Sequence, residues 1–347
     1  MKTRPMTRPD WWQRRGMKSL ALLPLGLIYA LLDLFLRLIT KPQPGPLPII
    51  CVGNLTAGGA GKTPVTQALV RLLIEKGWQP AVISRGYGRL SQPSQQSNQS
   101  EQSQQSEQSK QSKQSKQSKQ SEQSVRVDLA AHGFADVGDE PLLHAGLCPT
   151  YVGADRLRSV HMAQSDGANV IVMDDGLQHH RLRKDFAIEV RAGLGNRFPL
   201  PAGPLRQWFG LGLRSIDMTL VAGRDTTVHA QMPVFAHMSK PLAAFCGIAD
   251  PEKFRGTLID LGASPDWFQR FPDHHAFTPG DVSFLLDLCK THRVVTTQKD
   301  WVRLPKTAQD QIAYVPYQVS LKDPGGLWSK IEPCLLRTRG EGQQGDV

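Results

Sequence analysis

The stretch of the chain best suited to chemistry is a glycine-rich loop between a predicted strand and a predicted helix. Residues 48–66 read PIICVGNLTAGGAGKTPVT. The glycines allow backbone N–H groups to turn inward, and a helix that begins near Lys62 directs its positive end toward an anion. Lys62 is suited to bind the β- and γ-phosphates of a nucleotide, and the Thr63 hydroxyl is suited to bind Mg²⁺. The predicted nucleotide-binding residues are Thr56, Ala57, Gly58, Gly59, Ala60, Gly61, Lys62 and Thr63.

The first position of this loop departs from the common phosphate-loop pattern. That pattern has glycine where this chain has Thr56. The structural alternative is a glycine turn between a strand and a helix that binds nothing. It gives no reason for Lys62 or for the loop glycines, so we prefer the phosphate site.

Two adjacent carboxylates follow a second apolar strand pattern. Asp174 and Asp175 come directly after residues 169–173, which read NVIVM. In a parallel sheet the carboxyl end of such a strand lies beside the phosphate loop, where Asp174 can complete a Mg²⁺ shell with Thr63. Two neighbouring acids repel each other unless a cation lies between them, which favours a metal site over a simple Asp-Asp-Gly turn.

Phosphoryl transfer to an alcohol needs a group that accepts the hydroxyl proton, and Asp139 is the candidate. It lies in the sequence Gly-Asp-Glu-Pro at 138–141. The alternative, in which Asp139 caps the helix that follows, is equally consistent with composition.

A second polar cluster reads FPDHHAF at residues 271–277. One local run supplies too few spaced ligands for zinc, so a metal site here is disfavoured. A histidine of this run facing a cleft can instead orient a catalytic aspartate. A surface loop is the alternative.

Strand and helix patterns alternate along most of the chain, which predicts an α/β fold: a P-loop NTPase-like, mostly parallel sheet followed by a smaller α/β domain. We predict a basic N-terminus with a membrane-associating helix at 1–42, a nucleotide-binding domain at 43–230, a smaller domain at 231–330 and a tail at 331–347. Residues 91–124 interrupt the first domain. Ser and Gln make up 25 of these 34 residues, which predicts a disordered insertion.

The N-terminus is basic and carries an apolar stretch at residues 20–39. Asp33 and Arg37 lie on one face of this predicted helix, and each costs a few kcal/mol in the middle of a bilayer. A helix in the membrane interface therefore fits better than a spanning one, with packing on the chain's own domain as the alternative.

The composition of the whole chain limits the kinds of binding partner that we expect. The net charge is +10, which favours an acidic partner such as a nucleotide or an anionic lipid. No stripe of aromatic residues among Lys and Arg indicates nucleic acid, and no obligate protein partner is inferred. Five dispersed cysteines are typical of reduced thiols in a cytoplasmic protein.

Several short motifs occur together in an order that resembles the tetraacyldisaccharide 4'-kinase family, the lipid A 4'-kinases of Gram-negative bacteria. They read GNLTAGGAGKTP at 53–64, SRGYG at 84–88, GDEP at 138–141, VGADR at 152–156, DDGLQH at 174–179, PAGPLR at 201–206, DHH at 273–275 and TTQKD at 296–300. The resemblance covers roughly residues 10–325 apart from the insertion. It also accounts for Thr56, which is where the phosphate loop of that family begins.

The resemblance implies transfer of a phosphate from ATP, with Mg²⁺, to the 4'-hydroxyl of a tetraacylated disaccharide 1-phosphate at the cytoplasmic face of the bacterial inner membrane. It implies that Asp139 acts as a base paired with His274, and that Asp174 and Asp175 serve the metal. It further implies active-site or substrate-facing positions for Arg156, Gln178, His179 and Arg206. The family usually has Glu where this chain has Gln207, so a role for that acid is not carried over.

Two other functions are compatible with a phosphate loop. A GTPase of the metal-insertion or targeting type needs an Asn-Lys-x-Asp motif for guanine, and residues 297–300 read TQKD instead. A membrane-bound, ATP-driven scaffold would hydrolyse ATP without phosphorylating a lipid.

Overall fold

The structure is a computed structural model that describes residues 9–57, 61–86, 124–207, 216–235 and 240–343. The predicted loop residues Gly58, Gly59 and Ala60 lie outside the described residues, as does the predicted insertion up to residue 123.

The described strands run in chain order as β1 Ile49–Gly53, β2 Pro80–Ser84, β3 Val125–Arg126, β4 Thr150–Val152, β5 Val170–Asp174, β6 Phe186–Arg191, β7 Met218–Val221, β8 Thr226–Ala230, β9 Leu242–Cys246, β10 Trp267–Arg270, β11 Arg293–Thr297, β12 Ala313–Val315 and β13 Tyr317–Leu321. The described helices are α1 Met17–Ala21, α2 Leu23–Ile39, α3 Lys62–Glu75, α4 Phe134–Val137, α5 Asp139–Ala145, α6 Arg156–Ser165, α7 Pro251–Asp260, α8 Pro279–Thr291, α9 Gln298–Trp301, α10 Lys306–Gln309 and α11 Pro324–Gln343.

A seven-stranded sheet forms the first domain, in the order β3-β4-β2-β5-β1-β6-β7. All pairs are parallel except β3 with β4. Strand β1, which leads into the phosphate loop, lies between β5 and β6, and Val52 is in register with Asp174. The loops that follow β1 and β5 therefore meet at one edge of the sheet, as the sequence predicts.

Both faces of this sheet are buried, which explains the uninterrupted apolar runs of its strands. Ile50 and Val52 of β1 pack on one face with Leu69 of α3. Ile49 and Cys51 point to the other face. Since side chains alternate along a strand, a helix layer is needed on each side, and α6 contributes to the second layer.

A second, four-stranded parallel sheet in the order β10-β9-β11-β12 forms a smaller domain, residues 240–315. Apolar clusters cover both of its faces. Helix α8 begins at a capping box in which Thr278 and Asp281 satisfy each other's backbone N–H groups.

The chain then returns to the first domain. Strand β13 pairs antiparallel with β8, and Leu327, Ile331 and Leu335 of α11 are buried in the same core as Ile50 and Val52. The sequence predicts one strand at 315–321 and a tail from 331. The structure instead divides that strand at Pro316 between two sheets, and it forms a helix where the tail was expected.

The apolar N-terminal stretch forms α1 and α2 rather than one continuous helix. Helix α2 has 17 residues, and only Gly26 and Ala30 are buried in it. None of the helices in the described part of the chain is long and apolar enough to cross a bilayer.

We expect the contact of α11 with the first core to contribute strongly to stability. Replacement of Leu335, which is fully buried, by Ala should lower the free energy of unfolding by about 2–5 kcal/mol, because it removes apolar contacts and leaves a cavity. The neighbouring Leu336 is 55% exposed and provides a matched control. Leu336→Ala should change the value by less than about 0.5 kcal/mol. Equal effects in urea denaturation would contradict the assignment of α11 to this core.

Candidate active site

The phosphate loop begins and ends in positions fixed by its neighbours. Gly61 has φ +79°, a left-handed conformation that favours glycine, and it directly precedes the first turn of α3. Lys62 begins that helix, and its Nζ atom lies 3.2 Å from Asn54 Oδ1 and 3.5 Å from Asp175 Oδ1. Thr63 lies in the same first turn. The described part of the loop thus holds a lysine ammonium at a helix N-terminus, as a phosphate site requires.

The start of the loop is held by the segment around residue 205. Thr56 forms an isolated bridge with Leu205, and the Ala57 N–H donates to the Pro204 carbonyl at 2.7 Å. The same segment carries Arg206, whose Nη1 lies 3.4 Å from Asp175 Oδ2. Two motifs that lie far apart in the sequence therefore meet here. Gln207, which follows, is buried.

Asp174 is almost fully buried and is held by two side chains that sequence reasoning missed. Thr66 donates a hydrogen bond to Oδ1 at 3.1 Å, and His144 Nε2 lies 2.8 Å from Oδ2. Burial opposes ionisation, but the contacts with His144, Lys62 and Thr66 outweigh it and keep the pKa of Asp174 below its usual value. Asp174 is thus an anchored carboxylate in this structure.

Asp175 is the more exposed of the two acids and is held in a left-handed conformation, with φ +52°. Its carboxylate faces Lys62 on one side and Arg206 on the other. No hydrogen bond from the described residues reaches its buried Oδ1 atom. A strained backbone that aims a carboxylate at two cations is typical of a functional site.

The acids fit a magnesium ion that is shared with phosphate. Within the described residues there is no group of three or more His, Cys, Asp or Glu that could enclose a metal by itself. Mg²⁺ is commonly held by one or two carboxylates together with nucleotide phosphates and water. The Oδ1 atom of Asp175 accepts no hydrogen bond from the described residues, and with the neighbouring Asp174 it offers carboxylate oxygens of that kind.

The remaining residues assigned by resemblance lie around the same edge of the sheet. Gln178 donates to the Asn54 carbonyl at 2.9 Å, which joins the loop after β5 to the loop after β1. Arg156 begins α6 and is buried, and its Nη1 has no hydrogen-bond partner among the described residues. Burial lowers the pKa of Arg156 to about 10 and that of His179 to about 4. A buried guanidinium beside a neutral imidazole is suited to an anionic ligand.

Asp139 lies where the two domains touch, and its side chain is completely buried. The N-cap of α5 is Gly138, so Asp139 is not the helix cap. Its Oδ1 accepts the Glu140 N–H at 2.9 Å, and its Oδ2 lies 3.1 Å from His274 Nδ1. The structure therefore brings together the pair that the resemblance implies.

Cations of the second domain surround this carboxylate. Arg303 donates to Oδ2 from both Nε, at 3.0 Å, and Nη2, and Lys299 Nζ lies 3.7 Å away. Burial alone would raise the pKa of Asp139, but the hydrogen bond from His274 and the charges of Lys299 and Arg303 hold it well below its usual range.

The other histidine of the 271–277 cluster has a structural role. His275 stacks on Phe271 with ring centroids 4.9 Å apart, and its Nε2 lies 3.0 Å from Asp281 Oδ2 at the start of α8. His274 is held in a left-handed conformation with φ +57° and faces the domain contact. The two adjacent imidazoles thus have different tasks.

Helix α5 connects the two clusters. It begins at Asp139 and carries His144, which contacts Asp174, near its end. Glu140 lies between Asp139 and His144 in this helix, and burial and the charge of Asp174 raise its pKa. His144 follows Glu140 by four residues and so shares its helix face, a signal that sequence spacing could have given. Arg303 lies just past the end of α9, so helix spacing gives no such signal for it.

The chain is similar to known proteins over most of its length. The family model described as tetraacyldisaccharide-1-P 4'-kinase matches residues 18–109 and 116–335. The chain belongs to this family. Relatives named tetraacyldisaccharide 4'-kinase include one from Methylobacterium sp. (strain 4-46), 37% identical over 96% of this chain and 99% of its own length. Another, from Hyphomonas neptunium, is 35% identical over 86% of this chain and 86% of its own.

A solved member of the 4'-kinase family has the same fold. The crystal structure of the "apo" form of LpxK from Aquifex aeolicus in complex with ATP superposes with a TM-score of 0.67, at 23% identity, over 92% of this chain and all of that one. The α/β architecture predicted from the sequence is therefore confirmed, including its mostly parallel sheet.

The lowered pKa of His179 predicts a pH-dependent stability. Between about pH 6.5 and 4 the unfolded chain binds more protons at His179 than the folded chain, so this residue makes stability fall as pH falls through that window. Urea denaturation of His179→Gln should show a weaker decline over the window than the unchanged protein. His161→Gln, at an exposed position, is the control. Identical profiles for all three proteins would contradict the burial of a neutral imidazole.

Proposed function

We propose that this protein transfers the γ-phosphate of ATP to the 4'-hydroxyl of a tetraacyldisaccharide 1-phosphate, as the names of its relatives indicate for them. The family membership supports the reaction class. The observation that carries the proposal is the single helix α5, which links a carboxylate at the domain contact to the Asp174 anchor beside Lys62.

In the proposed reaction, Lys62 and the helix N-terminus behind it bind the β- and γ-phosphates and offset their negative charge. The 4'-oxygen attacks the γ-phosphorus, the bond to the departing ADP oxygen breaks, and the hydroxyl proton passes to the Asp139 carboxylate. His274 orients that carboxylate from the second domain. A loose transition state depends more on orientation of the hydroxyl than on strong basicity, which is compatible with the lowered pKa of Asp139.

We further propose that Thr63, Asp174 and Asp175 hold Mg²⁺ together with the nucleotide. When bound, the ion neutralises charge on the phosphate oxygens. Lys62 and Arg206 on either side of Asp175 would hold that carboxylate beside the phosphate loop.

The acceptor is proposed to lie against Arg156, Gln178, His179 and Arg206. The chemistry of the pair formed by Arg156 and His179 suits an anionic acceptor, because the guanidinium is charged and the neutral imidazole can donate a hydrogen bond. Gln178 and Arg206 would hold the surrounding loops in place through Asn54 and Asp175.

Helix α2 offers a surface for the lipid. Its inner face packs on the first domain: a Cβ on Gly26 would lie 3.1 Å from Pro199 Cγ and 3.4 Å from the Ala202 Cβ. Asp33 pairs with Arg37 on the same helix and lies 3.4 Å from His180 Nε2. The exposed apolar residues on α1 and α2 include Leu20, Leu25, Ile28, Leu31, Leu32, Phe35, Leu36, Leu38 and Ile39.

A helix with its polar side on the protein and its apolar side exposed is suited to lie in a membrane interface. Within the described N-terminus, Arg14, Arg15 and Lys18 add positive charge that attracts anionic headgroups. We propose that α1 and α2 bind the cytoplasmic face of the bacterial inner membrane, where the acylated acceptor would be presented.

The GTPase alternative is disfavoured by where its candidate guanine-binding residues lie. Lys299 and Asp300 are at α9, and they contact the Asp139 cluster and Arg303 instead of the phosphate loop. We therefore expect ATP to be preferred over GTP as phosphate donor.

Incubation with γ-labelled ATP and tetraacyldisaccharide 1-phosphate, followed by separation of the lipids, tests this function. Label should appear in the lipid. Lys62→Ala should abolish transfer by removing the charge at the phosphates. Asp139→Asn should lower kcat by roughly 10²–10⁴-fold and change KM for ATP little, because it removes the proton acceptor but keeps its shape. Hydrolysis of ATP without labelled lipid would support the scaffold alternative.

Membrane binding is expected to depend on the exposed face of α2. The double variant Leu31→Ser/Phe35→Ser should reduce co-sedimentation with anionic vesicles by at least about tenfold, since two apolar side chains would no longer enter the lipid. Phe284→Ser is the control, because Phe284 is 50% exposed on α8 of the second domain. Equal binding of both variants would place the membrane contact elsewhere.

A further inference from the structure

Arg303 is a buried charge at the domain contact, and neither the motifs nor the proposed reaction gives it a role. Its side chain is completely buried. Its hydrogen bonds within the described part of the chain go to three acceptors: the Asp139 carboxylate in the first domain, and the Asp300 carboxylate and Gly247 carbonyl in the second.

Most of the contacts with the Asp139 carboxylate are made by one of its two oxygens, Oδ2. Arg303 Nε and Nη2 both donate to Oδ2, and His274 Nδ1 faces the same atom. Among the described residues, Oδ1 receives only the Glu140 N–H. A carboxylate oxygen accepts about two hydrogen bonds, so Oδ1 retains one acceptor position. Arg303 therefore fixes which oxygen of the buried Asp139 carboxylate keeps an unfilled acceptor position.

The second-domain side of Arg303 is rigid. Asp300 Oδ1 accepts from Arg303 Nη1 and from the Gly247 N–H, each at 3.0 Å, and Asp300 is further tied to the Thr297 hydroxyl. Gly247 approaches closely, since a Cβ there would lie 2.9 Å from the Pro272 carbonyl oxygen. Three short connections thus hold the guanidinium in one place.

The same carbonyl positions His274. The Gly247 oxygen accepts from Arg303 Nη1 at 3.0 Å and from the His274 N–H at 3.2 Å. Arg303 and His274 are therefore attached to one peptide group and reach one carboxylate oxygen. Movement of the guanidinium would shift Asp139 relative to the imidazole.

We propose that Arg303 is a positioning residue for phosphoryl transfer, which binds Oδ2 of Asp139 so that Oδ1 faces the acceptor hydroxyl and His274 stays paired. This inference rests on the proposed kinase function. Arginine suits the task because its planar fork holds several acceptors at fixed angles, which a lysine ammonium does not.

Steady-state kinetics of Arg303→Met and Arg303→Lys test the inference. Both variants should lower kcat, by roughly 10²-fold for Met, with KM for ATP within about twofold of the unchanged protein, because displacement of a reacting group by about an ångström has that effect. Arg255→Met, at an exposed position of α7, is the matched control and should retain kcat. Unchanged kcat in folded Arg303→Met would overturn the proposal.

A double-variant comparison separates positioning from a general structural role. If Arg303 acts through Asp139, adding Arg303→Met to Asp139→Asn should lower kcat no further than about twofold. Multiplicative losses would show that Arg303 acts independently and would overturn the proposal. Asp300→Asn, which loosens Arg303 without touching Asp139, should give a smaller loss of kcat with the same KM. If none of these variants unfolds cooperatively on heating, the role is structural and the proposal fails.

An activity-independent measurement distinguishes this inference from the kinase proposal. The ¹⁵N imidazole resonances of His274, assigned with His274→Gln, should shift in Arg303→Met and stay unchanged in Arg255→Met. Absence of labelled lipid from the unchanged protein would contradict the kinase function alone. Unchanged His274 resonances in Arg303→Met would contradict the positioning role alone.

Discussion

The carboxylate of Asp139 has lost all contact with solvent, and the arrangement of the site depends on how that loss is compensated. A buried ion is tolerated only where other charges and hydrogen bonds replace water. Here the compensation comes from His274, Lys299 and Arg303, all of which belong to the second domain. The first domain can therefore keep this carboxylate away from water only while the second domain is docked against it. That dependence makes the pairing of the two domains part of the site.

At the proposed phosphate end of the site, the first domain supplies all of the charged groups named above. Lys62, Asp175 and Arg206 alternate in charge along the carboxyl edge of the sheet, and Asp174 is fixed behind them by Thr66 and His144. Because α5 carries both Asp139 and His144, a shift of that helix would move both side chains. One short helix thus sets the distance between Asp139 and the anchor of Asp174.

Short sequence patterns predicted the helices and strands well. The residues that these patterns missed have partners that lie far away in the sequence. The alternation of strand and helix patterns predicted the mostly parallel sheet, and the acids after β5 lie beside the phosphate loop as the parallel sheet requires. The sequence did not predict β8 or β10, because their residues are only partly buried and carry no clear alternation. Arg303 and His144 could not be assigned by type alone, since their partners lie 164 and 30 residues away. Prediction of an apolar N-terminal helix was sound as to its location, but the chain breaks it at Leu22, before Pro24.

The return of α11 to the first core has a consequence for how the protein is made. The core that contains Ile50 and Val52 also needs Ile331 and Leu335, and the entire second domain is encoded between them. A chain emerging from the ribosome therefore exposes an incomplete apolar sheet until α11 has been synthesised. All of the strands of the smaller domain are synthesised before α11, so that domain can fold first. Synthesis of α11, and not of the nucleotide-binding segment, is then the event that completes the core of the larger domain.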